Sequence, residues 1–129
     1  MYRLNDEQQR VVSEATAVAV AHIGPEAARV DREGVFPEAS IGALAHCGLL
    51  GLNVPPAFGG RGQGLRTIAA VLDVAGRHCS STAMVYLMHL CGVACYAAAP
   101  EKTETQLRAA AQGKHLSTLA FSETGSRSY

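Results

Sequence analysis

The sequence has no net charge to offer a polyanion, because eleven basic side chains are balanced by eleven acidic ones. A nucleic-acid binder normally shows a basic face, so that partner is not expected. An uninterrupted apolar run of about eighteen residues is also missing, and no segment is expected to span a membrane. The start Met1-Tyr2-Arg3-Leu4-Asn5-Asp6-Glu7 turns polar at once, without the form of a secretory signal, and the chain reads as cytoplasmic. No Cys-x-x-Cys pair occurs among Cys47, Cys79, Cys91 and Cys95, and the five histidines complete no zinc spacing. The cysteines read as buried, reduced thiols, with Cys91 and Cys95 stacked on one helical face. Internal repeats and low-complexity tracts are absent too.

What is present is a chain of 129 residues, 48% hydrophobic and 17% charged, which suits one folded domain with its own core. Asn5 with Gln8 forms the two halves of a capping box, followed by Val11, Val12, Ala15, Val18, Ala19 and His22 at helical spacing. Gly24-Pro25 is expected to break that helix, and a short helix over 26–33 to end at Gly34. Pro37 starts a third helix that Gly48 stops. The glycine- and proline-dense stretch from Pro55 to Gly64 reads as a loop. A helix over 67–78 follows. Ser80 or Ser81 then caps a helix running to about Ala98, so apolar on all sides that it should be buried. Pro100 stops it, and a more polar helix runs over 103–112 to Gly113. Leu116-Ser117-Thr118-Leu119-Ala120-Phe121 alternates and reads as a strand. The expected fold is therefore all-α, a bundle of about six helices, with residues 116–129 opening a β-domain that continues outside a truncated chain.

Few residues invite chemistry. Gly59-Gly60-Arg61-Gly62-Gln63-Gly64 lacks the lysine and βαβ context of a phosphate loop and reads as a turn. Met84, Leu87, Met88 and Cys91 fall on one helical face, which is either a core stripe or the wall of a pocket for an apolar chain. His89 has no carboxylate at hydrogen-bonding spacing and reads as a satisfied or partly exposed histidine. No nucleophile–base pair stands out.

Taken in order, the segments resemble the acyl-CoA dehydrogenase family. Leu4-Asn5-Asp6-Glu7-Gln8-Gln9 looks like that family's usual start. Val30-Asp31-Arg32-Glu33-Gly34-Val35-Phe36-Pro37 resembles its D-R-E-G-x-F-P stretch. Gly48-Leu49-Leu50-Gly51-Leu52-Asn53-Val54-Pro55 with Phe58-Gly59-Gly60 is similar to a further signature. Leu119-Ala120-Phe121-Ser122-Glu123-Thr124-Gly125 resembles the flavin motif that opens the family's β-domain. The resemblance implies residues 1–115 as an N-terminal helical domain and an FAD enzyme, generally a homotetramer, that α,β-dehydrogenates acyl-CoA thioesters in fatty acid metabolism. On that basis Phe121 and Ser122 would sit against the flavin and Ser128 would touch the thioester portion. Met84, Leu87, Met88 and Cys91 would line the acyl end. Thr124, Arg127 and Tyr129 depart from the motif, and the family's catalytic glutamate lies downstream, so no catalytic residue is assigned. The resemblance leaves two other readings open: a flavin monooxygenase of the same superfamily, and a non-catalytic helical interaction module. The 129 residues alone are expected to be inactive and to bind FAD weakly or not at all, with the remaining domains of the subunit as partners.

Overall fold

Residues 5–8 start the first helix by a purely local exchange. In the computed structural model of the chain, which describes residues 3–120, Asn5 Oδ1 accepts from the Gln8 N–H at 2.9 Å. Gln8 Oε1 accepts in return from the Asn5 N–H at 3.0 Å. The box caps α1 (Asp6–Val18). The break expected at Gly24-Pro25 does not occur. α1 runs through a π-helical stretch, Ala19–Ile23, directly into α2 (Gly24–Glu33). Proline lacks an N–H and its ring crowds the carbonyl four residues back. The Gly24 N–H reaches Ala19 O, five residues back, and this wider turn accommodates Pro25 without ending the helix.

Gly34 and Gly48, with φ of 61° and 69°, stop α2 and α3 (Glu38–His46) in the left-handed region that glycine adopts freely. Two 3₁₀ turns follow, Leu49–Gly51 and Pro56–Phe58, then α4 (Leu65–His78), α5 (Ser80–Ala97) and α6 (Pro100–Ala111). Neither serine caps α5: Ser80 is already helical, and Cys79 holds the extended N-cap position. Pro100 opens α6 as a first-turn proline. The expected start at Thr103 is instead a kink (φ −128°), where Thr103 Oγ1 donates to the Tyr96 and Ala99 carbonyls.

All regular structure among the described residues is helical, as expected. Residues 114–120 carry no regular structure. A strand needs a ladder partner, and the described residues contain none. Phe121, Ser122 and Ser128 lie outside the described residues.

The main core joins Val11, Val18 and Ile23 to Leu44, Leu49, Leu50, Val71, Tyr86 and Leu90. A smaller cluster of Val54, Val93, Leu107 and Ala110 sits under α6. Burial of each valine, leucine or isoleucine side chain among these stabilises the fold by about 1.5–3 kcal/mol. α5 contacts α4 and α6 on either side and the first 3₁₀ turn. By length and composition alone α5 could cross a membrane, yet Tyr86 and His89 commit its inner face to hydrogen bonds within the bundle.

The expectation that α5 is buried on all sides is not met. Its buried residues are Thr82, Tyr86, His89, Leu90, Gly92 and Val93, while Met84 is 58% exposed and Leu87 36%. The cysteines follow the same division. Against the expectation of buried thiols, only Cys79 is buried; Cys91 is half-buried, Cys95 is exposed on the outer side of α5, and Cys47 is exposed at the end of α3.

The loop after Val54 is folded tightly back. The Arg61, Gly62 and Gln63 N–H groups donate to the Gly51, Val54 and Leu52 carbonyls at 2.9–3.0 Å. Arg61 also pairs with Glu14 and donates to Cys47 O, each at 2.6 Å. This ties the loop to α1 and to the end of α3. It leaves the glycines no free phosphate cradle and accounts for them as the turn they were expected to be.

Candidate functional site

Beside the outer face of α5 lies a cavity of about 360 Å³, lined by Phe36, Met84, Val85, Met88, Leu116, Ser117 and Thr118. That volume falls at the low end of small-molecule sites. Three elements build it. α5 supplies Met84, Val85 and Met88. The α2–α3 connection supplies Phe36, just before Pro37. The chain beyond α6 crosses over α5 and supplies the remaining wall. The lining is apolar apart from two hydroxyl residues, and Phe36 and Leu116 are 52% and 40% exposed around it.

The crossing is fixed at Ser117. Its N–H donates to His89 Nδ1 at 3.0 Å, and its Oγ donates to Tyr96 Oη at 3.1 Å. Tyr96 Oη in turn lies 3.2 Å from His115 Nε2, with the two rings tilted at 5.6 Å between centroids. Gly92 permits the approach: a Cβ built there would stand 2.8 Å from Ser117 Cβ and closer still to its Oγ. A glycine inside an apolar helix costs roughly 1 kcal/mol relative to alanine, and here the cost has a visible purpose.

The buried His89 ring is assigned by its neighbours. A backbone N–H can only donate, so Nδ1 accepts from Ser117 and the proton resides on Nε2. That Nε2–H donates to Leu50 O at 2.7 Å. Burial holds the pKa below the ordinary histidine range; the bond to Leu50 opposes this and the charge of His115 adds to it. Tyr86, one turn earlier, is likewise buried. Its hydroxyl donates to Leu49 O at 2.6 Å, and burial raises its pKa far above the usual phenol range.

The stripe Met84, Leu87, Met88 and Cys91 is therefore divided. Met84 and Met88 line this cavity. Leu87 and Cys91 line a second, smaller cleft of about 110 Å³ with Asn53, Leu65, Ile68, Leu90 and Ala94. Helical spacing could not reveal the division, because the 115–118 segment covers only one flank of the stripe. Phe36 and Val85, and the set of His89, Gly92, Tyr96, His115 and Ser117, were not singled out as site residues from sequence. The one local signal was Gly92 itself, an isolated glycine in a helical pattern.

Comparison with known proteins bears on what this cavity is. A family profile described as the acyl-CoA dehydrogenase N-terminal domain matches residues 5–114. Cyclohex-1-ene-1-carbonyl-CoA dehydrogenase of Geobacter metallireducens is 33% identical over 126 residues, covering 95% of this chain and 33% of the relative. Acryloyl-CoA reductase (NADH) of Anaerotignum propionicum is 31% identical over 124 residues, covering 95% of this chain and 32% of the relative. The human mitochondrial short-chain specific acyl-CoA dehydrogenase is 30% identical over 82 residues, covering 64% of this chain and 20% of the relative. The chain thus spans about a third of the length of the first two of these. With a match that runs through all six helices, the chain belongs to the acyl-CoA dehydrogenase family, through its N-terminal domain.

Proposed function

We propose that the chain is the N-terminal helical part of an FAD-dependent oxidoreductase that α,β-dehydrogenates an acyl-CoA thioester, and that the cavity beside α5 receives the acyl chain. The observation that carries this reading is the cavity's chemistry. Two unbranched methionines, Phe36 and Leu116 surround an apolar volume in a family whose members named above act on CoA thioesters. Methionine adapts to irregular apolar ligands, and an acyl chain entering the cavity would gain about 0.8 kcal/mol per buried methylene.

The division of labour follows from the residues. Met84, Met88, Val85 and Phe36 bind the chain and exclude water from it. Ser117 and Thr118 provide the polar rim on the wall that leads into the motif. FAD, when bound, supplies the two-electron acceptor for the hydrogen that leaves the β-carbon. The residues assigned toward it are Phe121 and Ser122, four and five positions after Ser117, with Ser128 toward the thioester. The described residues suit that assignment, because Ser117 is held at both its N–H and its Oγ, a fixed approach to the flavin motif. Among the described residues no carboxylate lines the cavity. The base that removes the α-proton is thus absent from the pocket wall described, and the 129 residues alone are inactive on this reading.

The test is binding of acyl-CoA thioesters of increasing chain length to the whole flavin-loaded subunit that carries this N-terminal part, with Met84→Arg and Met88→Glu as variants. Affinity should rise with chain length in the parent protein and lose that dependence in both variants, while CoA alone binds all three equally. Chain-length-independent binding in the parent protein would refute the assignment of the cavity.

A further inference from the structure

The cavity wall formed by residues 116–118 has no helix or strand to hold it, and what holds it is Ser117, bonded through its N–H to the buried His89 ring and through its Oγ to Tyr96. We infer that His89, in its neutral Nε2–H form, is the positioning residue that sets this wall, so that the apolar pocket exists only while Nδ1 is unprotonated. The inference rests on the reading of the cavity as an apolar ligand site.

Three observations carry it. First, the ring is bonded at both nitrogens, to Leu50 O in the first 3₁₀ turn and to the Ser117 N–H, which ties the crossing segment to the base of the bundle. Second, these partners are 39 and 28 residues away in sequence, so no local structure substitutes for the ring. Third, the segment lies directly on Gly92, where any side chain would displace Ser117. An imidazolium presents two donors. Protonation at Nδ1 would set an N–H against the Ser117 N–H, turning an attraction into a repulsion and leaving the wall attached only through Ser117 Oγ and Tyr96.

The surroundings favour the neutral ring. The turn Leu49–Gly51 brings no titratable side chain. The crossing segment brings His115, which disfavours a second positive charge. α5 brings Tyr86, kept protonated by burial, and Tyr96 on the far side of Ser117. Among the described residues no carboxylate acts on the ring to hold a proton there. The acid form therefore costs more inside the closed segment than outside, and opening of the wall is coupled to proton uptake. The loss sets in only below the ordinary histidine pKa of about 6.5.

Binding of N-phenyl-1-naphthylamine, an uncharged apolar fluorophore with no CoA chemistry, tests the coupling across pH 5–8 in the full chain, beside nitrogen NMR of the His89 ring. NMR should show Nδ1 unprotonated and Nε2 protonated above neutrality. Probe affinity should fall about tenfold as His89 takes up its proton, the scale of one lost hydrogen bond. His89→Asn places an amide oxygen where Nδ1 stands, gives up the bond to Leu50 O and cannot titrate, so it should bind at one pH-independent level and lose the acid limb. His89→Gln keeps the reach to Leu50 O but not the acceptor for Ser117, and should bind weakly at every pH. Gly92→Ala displaces Ser117 without touching the ring and should weaken binding by a similar factor. A flat pH profile in the parent protein, an acid limb retained in His89→Asn, or normal binding by Gly92→Ala would each overturn the inference. If the probe follows His89 while acyl-CoA thioesters bind at no pH, the positioning role stands and the acyl-CoA reading falls.

Discussion

Tyr86 and His89 make the same kind of bond, from a buried α5 side chain to a carbonyl of the first 3₁₀ turn, yet their removal should differ in cost. Tyr86→Phe deletes a hydroxyl that donates to Leu49 O at 2.6 Å. That carbonyl also accepts from the Leu52 N–H at 3.2 Å, so it keeps a partner when the hydroxyl goes. The expected loss is only the net worth of one hydrogen bond, about 1 kcal/mol. For a domain of this size, that lowers the midpoint of thermal unfolding by about 4 °C. His89→Leu keeps comparable apolar bulk but strips Leu50 O of its recorded side-chain donor and Ser117 N–H of its acceptor. Each orphaned group costs about 1–3 kcal/mol when water cannot reach it. Leu50 O lies within the core, whereas Ser117 is half-buried and can recruit water, so a total of about 3 kcal/mol is expected. Urea unfolding followed by circular dichroism measures both. If Tyr86→Phe cost as much as His89→Leu, or more, the claim that Leu52 backs up the Leu49 carbonyl would be refuted.

Two further outcomes follow from the same contacts. Gly60→Ala should cost about 3 kcal/mol or more by overpacking, read as a lower urea midpoint. A Cβ there would stand 2.6 Å from the Val54 carbonyl carbon and closer to its oxygen and Cβ, and Val54 is fully buried. Stability should also depend on acid through His89. Its folded pKa is depressed relative to the unfolded chain, so its contribution is complete above about pH 6.5 and declines as pH falls toward the folded value. Parallel urea titrations of the parent protein and His89→Asn should differ in slope with pH only over that window, and an identical slope would contradict the assignment.

What could be read from the sequence was what residues a few positions apart decide between themselves. The Asn5–Gln8 box and the glycine stops at Gly34, Gly48 and Gly113 are local, and each stands where the sequence pointed. Gly24-Pro25 is local too and still misled, because a proline breaks a helix only if the turn before it cannot widen. Ser80 and Ser81 look like caps, but the helix begins one residue early, at the geometry Cys79 adopts. Of the site, only the α5 wall with Met84 and Met88 was within reach. Periodicity reports that Met84, Leu87, Met88 and Cys91 share a face, and is silent on what lies across from it. That depends on where residues 115–118 land, which depends on bonds to His89 and Tyr96 that span 28 and 21 residues.

α5 divides its residues in an unusual way for a helix that serves only to fold the bundle. Such a helix turns its apolar stripe inward and its polar residues to water. Here the inward face, beside the apolar Leu90 and Val93, also carries Thr82, Tyr86, His89 and Gly92, while Met84 and Leu87 are exposed and Met88 and Cys91 half-buried. The inward set does work that leucines could not. Tyr86 and His89 tie α5 to the two consecutive carbonyls Leu49 and Leu50, and Gly92 opens the space for Ser117. The outward set gains little from the fold of these residues, since exposed methionine forgoes most of its transfer free energy. Phe36 and Leu116, both substantially exposed, meet Met84 and Met88 around a single cavity and not as scattered surface residues. Scattered apolar side chains need no explanation, but a convergent group does. An apolar ligand seated between α5 and the segment held by His89 and Tyr96 would account for both features, the inner contacts that fix the wall and the apolar side chains that converge on the cavity.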